Sequence, residues 1–422
     1  MERFLQVFKI PELRKKVLLV LLMLVAFRFM ASVPVPGIDT SRLKDLFNSD
    51  QLLGLLNVFS GGGMSNFSLV LMGVGPYITA SIIMQLMTMI IPQVEKWYRE
   101  EGEAGRQKFN QITRFLTVPI CMLQGFAMIS LFQSQRIIGS ISTSQLVGLL
   151  ITITAGTVLL MWLGELITEK GIGNGVSLII FAGIVSDLPG TINRLYATWD
   201  ETKLLTYVGI AGLLVASIYA VVFITEGQRN IPVTYARRIR SGKVLGGSNT
   251  YLPLRVNQAG VIPIIFAMSV LLFPGAIAKF IESLRLDKLE GAAMAINVFL
   301  ANQLYYGILY FLLVVVFTFF YTKISFEPKN IAENLQKNGG YIPGIRPGKK
   351  TEEYLGHVVN RITLAGALFL GVVAILPFVV QGMTKIQQLS IGGTSLLIVI
   401  SVVIETIKQI EGQILMRDYD RV

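Results

Sequence analysis

Residues 57–92 read NVFSGGGMSNFSLVLMGVGPYITASIIMQLMTMIIP, and they cannot form one membrane helix. A straight helix of this length would rise about 54 Å, whereas the hydrocarbon core of a bilayer is about 30 Å thick. Three successive glycines break the stretch at 61–63, and Gly73, Gly75 and Pro76 open its second part. Non-helical backbone at membrane depth is tolerated where it is buried in protein or lines an aqueous cavity. The stretch therefore predicts a short broken element followed by a full span, which is typical of a pore or a binding site.

The composition indicates a polytopic membrane protein. Of the 422 residues 53% are hydrophobic, the mean hydropathy is +0.62, and the apolar residues cluster in long runs. Ten runs are predicted to span the membrane: 17–33, 69–91, 115–132, 146–163, 175–188, 204–224, 259–277, 304–321, 362–380 and 391–404. The first run follows basic residues, as a secretory signal would. It is too long for a signal peptide and lacks a small-residue cleavage site, so it is interpreted as a retained span.

Basic residues are distributed unevenly between the runs. The formal net charge is +11, and 27 of the 37 Lys and Arg residues fall on segments that share the side of the N-terminus. Nine fall on the other side, and Arg28 lies inside the first run. Cytoplasmic loops of membrane proteins carry such an excess. The pattern predicts that both ends of the chain face the cytoplasm, and the lack of a transit peptide favours a bacterial plasma membrane.

Ten spans divide into five plus five, and an odd number in each half makes the halves inverted in the membrane. Inverted repeats are a common plan of transporters and channels, with the working site at the interface between the halves. We therefore expect an N-terminal half at 1–190 and a C-terminal half at 191–422. The letters themselves show no internal repeat, so this division rests on the span count.

Two cytoplasmic loops are predicted to do more than connect spans. The loop at 226–257 contains the β-like segments NIPVTYARR and TYLPLRV on either side of SGKVLGGSN, which predicts a hairpin. The loop at 325–360 contains NGGYIPGIRPGKKT between two predicted short helices. Positive-inside bias alone would explain a basic loop. Length and arginine clustering favour a docking surface instead, for an anionic protein face or for ribosomal RNA.

Catalysis finds little support in the sequence. One histidine and one cysteine exclude His-rich and multi-Cys metal sites, and no GxSxG, HExxH or Walker pattern is present. His357 is interpreted as a solvated loop histidine, and Cys121 as a small core residue. The stretch GIGNGVS at 171–177 is interpreted as a turn into the fifth run. We therefore predict that the chain is not an enzyme and uses no cofactor or metal.

An ion-coupled carrier of small solutes is a stronger alternative. Such carriers place ionisable groups near the bilayer midplane. In this sequence Glu165, Asp187 and Glu405 lie near the ends of runs, and Arg28 lies near the outer end of the first run, where it can snorkel. No carboxylate is central in any run, which counts against a carrier, although sodium coordinated by backbone groups stays an open alternative.

Aliphatic residues lie beside small or polar ones in two of the runs. The second run places Val74 and Ile78 beside glycine, threonine and serine, and the seventh run reads NQAGVIPIIFAMSVLLFPG. We expect Pro263 to interrupt the helix there. An apolar constriction can close a pore by dewetting, but composition alone favours a lipid-facing or core position for any one isoleucine in a span.

Eight stretches resemble one family of membrane proteins over essentially the whole chain. They are FRFMASVPVPGID, GPYITASIIMQL, EGEAGRQKFNQITR, GIGNGVSLIIFAGIV, EGQRNIPVTYARR, YLPLRVNQAGVIPIIFA, GGYIPGIRPGKKT and GGTSLLIVISVVIE. On these stretches the chain resembles the SecY family, the central subunits of the bacterial protein-conducting channel. The resemblance implies an all-α polytopic membrane protein with ten transmembrane helices, in two pseudo-symmetric inverted halves of five that open like a clamshell around a central hourglass pore.

The resemblance also implies roles for particular residues. The pore ring would comprise Val74, Ile78, Ile180, Ile184, Ile265 and Ile398, with valine at 74 where relatives often have isoleucine. The plug, at 57–67, would include Asn57, Ser60, Gly61, Gly62, Gly63, Met64, Asn66 and Phe67. The lateral gate, between the second and third spans and the seventh and eighth, would include Ser81, Gln85, Asn257, Gln258 and Ser269. The motor and ribosome docking sites would include Arg237, Arg238, Arg240, Arg346, Lys349 and Lys350.

The resemblance implies a function as well. Unfolded secretory proteins would cross the plasma membrane through the pore, and transmembrane segments would leave sideways into lipid. The implied partners are the SecE and SecG subunits, the SecA ATPase, the ribosome, precursor proteins with their signal sequences, and membrane lipid. Energy would come from SecA or the ribosome, which agrees with the lack of a nucleotide-binding motif in the chain.

Overall fold

Helices make up most of the computed structural model, which describes residues 10–35, 57, 60–134, 138–139, 141–197, 204–235, 238–240, 243–245, 249–283, 287–384 and 388–419. The helices in these ranges are α1 (Pro11–Ser32), α2 (Gly75–Ile90), α3 (Pro92–Arg99), α4 (Gly102–Ser134), α5 (Thr143–Lys170), α6 (Gly175–Ala197), α7 (Leu204–Glu226), α8 (Ile262–Ser283), α9 (Asp287–Ala301), α10 (Gln303–Ser325), α11 (Pro328–Lys337), α12 (Lys349–Thr384) and α13 (Gln388–Tyr419). The strands are β1 (Gln228–Tyr235), β2 (Arg238–Arg240), β3 (Lys243–Leu245), β4 (Asn249–Arg255) and β5 (Gly340–Tyr341).

Each of the ten predicted runs coincides with a separate helix: α1, α2, α4, α5, α6, α7, α8, α10, α12 and α13. Within the described residues, α4, α5, α10 and α12 are long and apolar enough to cross a membrane, and the bent pair of α2 and α3 adds a fifth span if it counts as one. Shorter apolar stretches lie in α6, α7, α8 and α9. The sequence did not predict α9, and the count of ten spans stays a prediction.

The second predicted run is wrong as a single helix over 69–91. Residues 69–74 form turns, and α2 begins only at Gly75. Gly73 adopts a φ of +56°, a left-handed conformation that a continuing helix cannot contain. Pro76 then occupies the first turn of α2, where its missing N–H has no helical partner to lose. The helix therefore starts about two turns later than the apolar run, and it meets α3 at a bend of 108°.

Two other expectations about single residues need correction, and one is confirmed. Pro263 does not interrupt its helix, because α8 begins at Ile262 and Pro263 lies in the first turn; the proline inside this helix is Pro274. His357 is exposed as predicted, but it lies on α12 and not in a loop. The turn predicted from GIGNGVS is confirmed, since α6 begins at Gly175.

The chain forms two compact units. The first contains Met1–Tyr207, Met268–Tyr306 and Pro377–Val422, and the second contains Val208–Ala267 and Gly307–Leu376. The division into inverted halves near residue 190 stays a prediction. In the first unit α4 packs against both α2 and α5, and α6 packs against α5 and α13. Cys121 is confirmed as a buried core residue.

The second unit contains a small sheet built from both long polar loops. The predicted hairpin is confirmed: β1 and β4 are antiparallel, from Gln228 opposite Arg255 to Thr234 opposite Asn249. Strand β5, from the second loop, pairs with the other edge of β1, so the strand order is β4-β1-β5. A buried cluster joins the sheet to the helices around it: Ile231, Val233, Leu254, Ile342, Leu355, Val358 and Val359.

The second of the two short helices predicted in the loop at 325–360 is wrong. The first is confirmed as α11, but the residues after GIRPG form the start of α12, which continues for 36 residues. The first turns of α12 therefore pack against the sheet and contribute residues to its core. We call the unit formed by β1, β4, β5, α11 and the start of α12 the loop body.

Candidate functional site

The turn at 57–67 is held together by its own hydrogen bonds, with Asn57 at their centre. The Asn57 carbonyl accepts from the Gly62 amide at 2.8 Å and from the Ser60 hydroxyl at 2.9 Å. The Asn57 Oδ1 accepts from the Ser65 amide at 2.9 Å, and the Ser60 hydroxyl accepts from the Met64 amide at 3.1 Å. These four bonds all lie within the turn and fix its local shape.

Glycine is required at two positions of this turn. Gly61 and Gly62 have φ values of +67° and +80°, which residues with a Cβ rarely adopt. A Cβ on Gly61 would also collide with the ring of Phe27 on α1 and come within 3.3 Å of the Gly183 Cα on α6. The turn thus lies directly against two helices at a point where no side chain fits.

The C-terminal end of the turn is anchored by a buried aromatic ring and by backbone pairing. Phe67 is buried and lies 5.8 Å from Phe132, ring centre to ring centre. Its carbonyl accepts from the Val35 amide at 2.9 Å, and Ser68 forms a β-bridge with Pro34. Among the described residues Phe67 is the only one other than glycine with a positive φ, at +45°. The anchored and strained position of Phe67 marks the boundary between the turn and the residues that lead into α2.

The other plug residues lie at the same surface of the first unit. Met64 is buried in the cluster that contains Phe67 and Phe132. The Asn66 side-chain amide donates to the Ala31 carbonyl at 3.4 Å. The Gly63 carbonyl accepts from the Ser68 amide at 2.9 Å. The structure therefore brings all eight predicted plug residues into one folded turn.

All six predicted ring residues are buried aliphatic side chains. Val74 and Ile78 lie one helical turn apart at the start of α2, and Ile180 and Ile184 have the same spacing on α6. Ile398 lies on α13, which packs against α6. Ile265 lies in the second unit, on α8, and its neighbour Phe266 makes ring contacts with Phe317 and Tyr321. That the six side chains form a single ring stays a prediction.

Two predicted gate residues carry buried oxygens without a hydrogen-bond partner in the described part of the chain. The Gln85 amide donates to the Ser81 hydroxyl at 3.2 Å, but its Oε1 accepts nothing. The Asn257 amide donates to the Gly260 carbonyl at 3.2 Å, and its Oδ1 accepts nothing. Gln258 and Ser269 are half-buried. Buried acceptors normally have hydrogen-bond partners. The Gln85 Oε1 and the Asn257 Oδ1 are therefore less stable here than they would be if they were hydrogen-bonded.

The predicted docking residues fall on two parts of the second unit. Arg346 is exposed between β5 and α12, and its carbonyl accepts from the Thr351 hydroxyl at 2.9 Å. Lys349 and Lys350 are exposed in the first turn of α12, and Lys350 pairs with Glu353 at 2.9 Å. The backbone at Arg238 and Arg240 forms β2, which pairs with β3, and Arg237 lies outside the described residues.

Comparison with known proteins agrees with this arrangement of elements. A family model described as SecY matches residues 68–407. A relative named protein translocase subunit SecY, from Halalkalibacterium halodurans, is 43% identical over 424 residues, which cover 98% of this chain and 97% of the relative.

The chain belongs to the SecY family.

Solved structures show the same SecY-family fold. One, described as "The structure of a protein conducting channel", has a TM-score of 0.66 at 18% identity and covers 93% of this chain and 90% of its own. Another, described as Sec61 in the canine ribosome–channel complex from the endoplasmic reticulum, has a TM-score of 0.62 at 17% identity, with the same coverage. At such identities the likeness concerns the fold alone, which is that of a mainly helical, polytopic membrane protein.

Sequence reasoning missed one residue of the site, Arg28. It was interpreted as snorkelling toward the membrane surface, but its guanidinium Nη1 donates to the Gly61 carbonyl at 2.6 Å. The signal was present in the sequence, because an ionisable residue inside an apolar run is a functional-site hypothesis by default. What the sequence did not contain was the acceptor, a backbone carbonyl 33 positions away.

Proposed function

We propose that this chain is the channel subunit through which unfolded secretory proteins cross a bacterial plasma membrane and from which transmembrane segments pass sideways into lipid. The observation that carries the proposal is a self-bonded, glycine-broken turn followed by buried aliphatic residues at Val74 and Ile78, in a chain that matches a protein translocase subunit over its whole length. The turn is the plug that closes the pore, and the aliphatic residues are part of the constriction.

The constriction consists of Val74, Ile78, Ile180, Ile184, Ile265 and Ile398. Branched aliphatic side chains offer no hydrogen bonds, so they surround a translocating chain of any sequence without binding it. When the pore is closed, the same side chains exclude water and ions by dewetting. Their burial in the described structure is consistent with a closed constriction.

The lateral gate opens along Ser81, Gln85, Asn257, Gln258 and Ser269. Removal of apolar surface from water yields about 25 cal/mol per Å², which drives an apolar signal or anchor segment out of the pore into lipid. The unsatisfied Oε1 of Gln85 and Oδ1 of Asn257 lower the free-energy cost of separating the two sides, because a closed gate with unmade hydrogen bonds is less stable than a fully paired one.

The loop body and the tip that β2 and β3 form beside it are the docking surface for the partners that supply energy. Arg346 serves the engagement of the SecA ATPase, and the tip at Arg237, Arg238 and Arg240 serves both the ribosome and SecA. The chain itself is not an enzyme and requires SecE, and usually SecG, for a complete translocase. Both ends and the loop body face the cytoplasm, as the uneven distribution of basic residues favours.

The deciding experiment combines complementation with site-specific cross-linking. The chain is expressed with its partner subunits in a bacterial host depleted of its own channel subunit, and a photo-reactive residue replaces Ile265. A stalled precursor should cross-link to position 265 and not to a matched position at Ile308, a residue of α10 that is 53% exposed. Equal cross-linking at both positions, or saturable uptake of a small solute by the purified chain alone, would instead support a carrier.

A further inference from the structure

Arg28 connects α1 to the plug at the point of closest packing. Its Nη1 donates to the Gly61 carbonyl at 2.6 Å, and the guanidinium is half-buried. A hydrogen bond from a charged donor contributes roughly twice as much as one between neutral groups. The acceptor belongs to Gly61. A Cβ on Gly61 would collide with the ring of Phe27, which precedes Arg28 in the sequence. The bond and the close packing therefore depend on each other.

The opposite side of the contact is formed by α6. Gly183 is buried, and its Cα lies 3.3 Å from the position of a Cβ on Gly61. The glycine turn is thus enclosed between α1 and α6, with the Arg28 guanidinium bonded to its Gly61 carbonyl.

We infer that Arg28 is a positioning residue that holds the plug in the closed state by bonding the Gly61 carbonyl, and that Phe27 and Gly183 form the seat into which the glycine turn fits. This inference rests on the proposed function of the turn as a plug. The Arg28 bond acts on the plug alone, because Arg28 contacts a backbone carbonyl of the plug and not the aliphatic residues of the constriction. Loss of this bond raises the fraction of channels whose plug is open and leaves the constriction unaltered.

The test measures plug opening directly, through a buried position that only an open plug exposes. In a Cys121→Ser background, Met64→Cys introduces a single thiol at a buried site of the plug. The complete translocase in membrane vesicles is treated with a membrane-impermeant maleimide, and the rate of labelling is followed. Arg28→Met should raise this rate about tenfold or more, as expected for loss of a charged hydrogen bond. Arg28→Lys, which keeps the charge and one donor, should give an intermediate rate.

Arg14→Met is the matched control, since it makes the same substitution at an exposed position of the same helix. It should label at the parent rate, and the thermal unfolding midpoint should be alike for all variants. Labelling of Arg28→Met at the parent rate, or an equal rise in Arg14→Met, would overturn the inference. If the parent translocase fails to export a precursor with an intact signal, it is the proposed function that fails, and the two failures are therefore distinguishable.

A second pair of variants tests the seat even if Arg28→Met does not fold. Gly61→Ala and Gly62→Ala both place a Cβ at a positive φ, so they share the backbone cost. Only the Cβ at 61 collides with Phe27, whereas the nearest atom to a Cβ at 62 is the Arg28 Nη1 at 3.9 Å. Gly61→Ala should therefore label several-fold faster than Gly62→Ala. Equal rates in the two variants would show that the close packing does not hold the plug.

Discussion

Single residues in this chain show that the spacing of apolar residues in a sequence does not reveal which of them are buried. Ile398 is 1% exposed and Val403, on the same helix, is 38% exposed, yet both belong to one apolar run. The period of a helix that is apolar on all sides does not distinguish a residue facing protein from one facing lipid. Only the resemblance to a family selected Ile398 as a ring residue, and the structure adds that it is buried.

Ile398→Ser should loosen the closed state of the channel. The change removes buried methyl groups, at a cost of about 2–5 kcal/mol if it resembles Ile→Ala, and it adds a hydroxyl that favours water in the constriction. We expect a larger ion conductance of reconstituted vesicles and export of precursors with defective signals. Val403→Ser, which changes an exposed position of the same helix, should leave both unchanged. Unaltered conductance in Ile398→Ser would remove this residue from the ring.

The elements of the fold were predictable where membrane physics dictates them. Ten apolar runs predicted ten helices, because a spanning segment must satisfy its backbone hydrogen bonds internally. Strand β5 was not predictable, since Gly340–Tyr341 is too short to show an alternating pattern and exists only by pairing with β1. The late start of α2 was signalled by Gly73 and Pro76, but the hydropathy of 69–74 concealed it.

At the scale of the plug, a disulfide should decide whether the turn must open for transport. A Cβ on residue 63 would lie 3.0 Å from the Ser68 Oγ, so cysteine side chains at 63 and 68 are within reach of each other. The Val70 carbonyl oxygen, 2.8 Å from that Cβ, has to shift slightly. Gly63→Cys with Ser68→Cys, in a Cys121→Ser background, ties the turn to the residue that is bridged to Pro34. Oxidation should stop export and reduction should restore it. Each single cysteine variant should export normally under oxidation, and undiminished export by the oxidised pair would contradict plug displacement at this turn.

The loop body should depend on its own small core. Leu355 on α12 is 0% exposed and packs with residues of β1 and β4, so Leu355→Ala should cost about 2–5 kcal/mol. We expect faster hydrogen exchange at the β1 amides and weaker binding of ribosomes, while membrane insertion of the chain is retained. His357→Ala, at an exposed position two residues along the same helix, is the control. Unchanged exchange in Leu355→Ala would show that the sheet is stable without this core.

At the scale of the whole molecule, the apolar runs and the charged loops differ in composition and in the role expected of each. Charged residues are only 15% of the chain, and the sequence places no carboxylate at the centre of any run. Under the proposed function, the runs provide the path through the membrane and its closure, and the basic loops bind the partners. Which basic residues matter was not predictable from charge alone, since positive-inside bias produces the same excess without any docking role.

Arg346→Glu tests whether the side chain of Arg346 makes a specific contact with a motor, beyond its share of the basic charge that orients the chain in the membrane. Arg346 and Lys329, which lies on α11, are both exposed, but the backbone at Arg346 is fixed by the bond from the Thr351 hydroxyl to the Arg346 carbonyl. Both Arg346→Glu and Lys329→Glu change the net charge equally, and the positive-inside rule predicts equal effects on topology. In reconstituted vesicles supplied with SecA and ATP, Arg346→Glu should abolish precursor export, and Lys329→Glu should not. Equal loss in both variants would show that general electrostatic attraction, and not a specific contact at Arg346, recruits the motor.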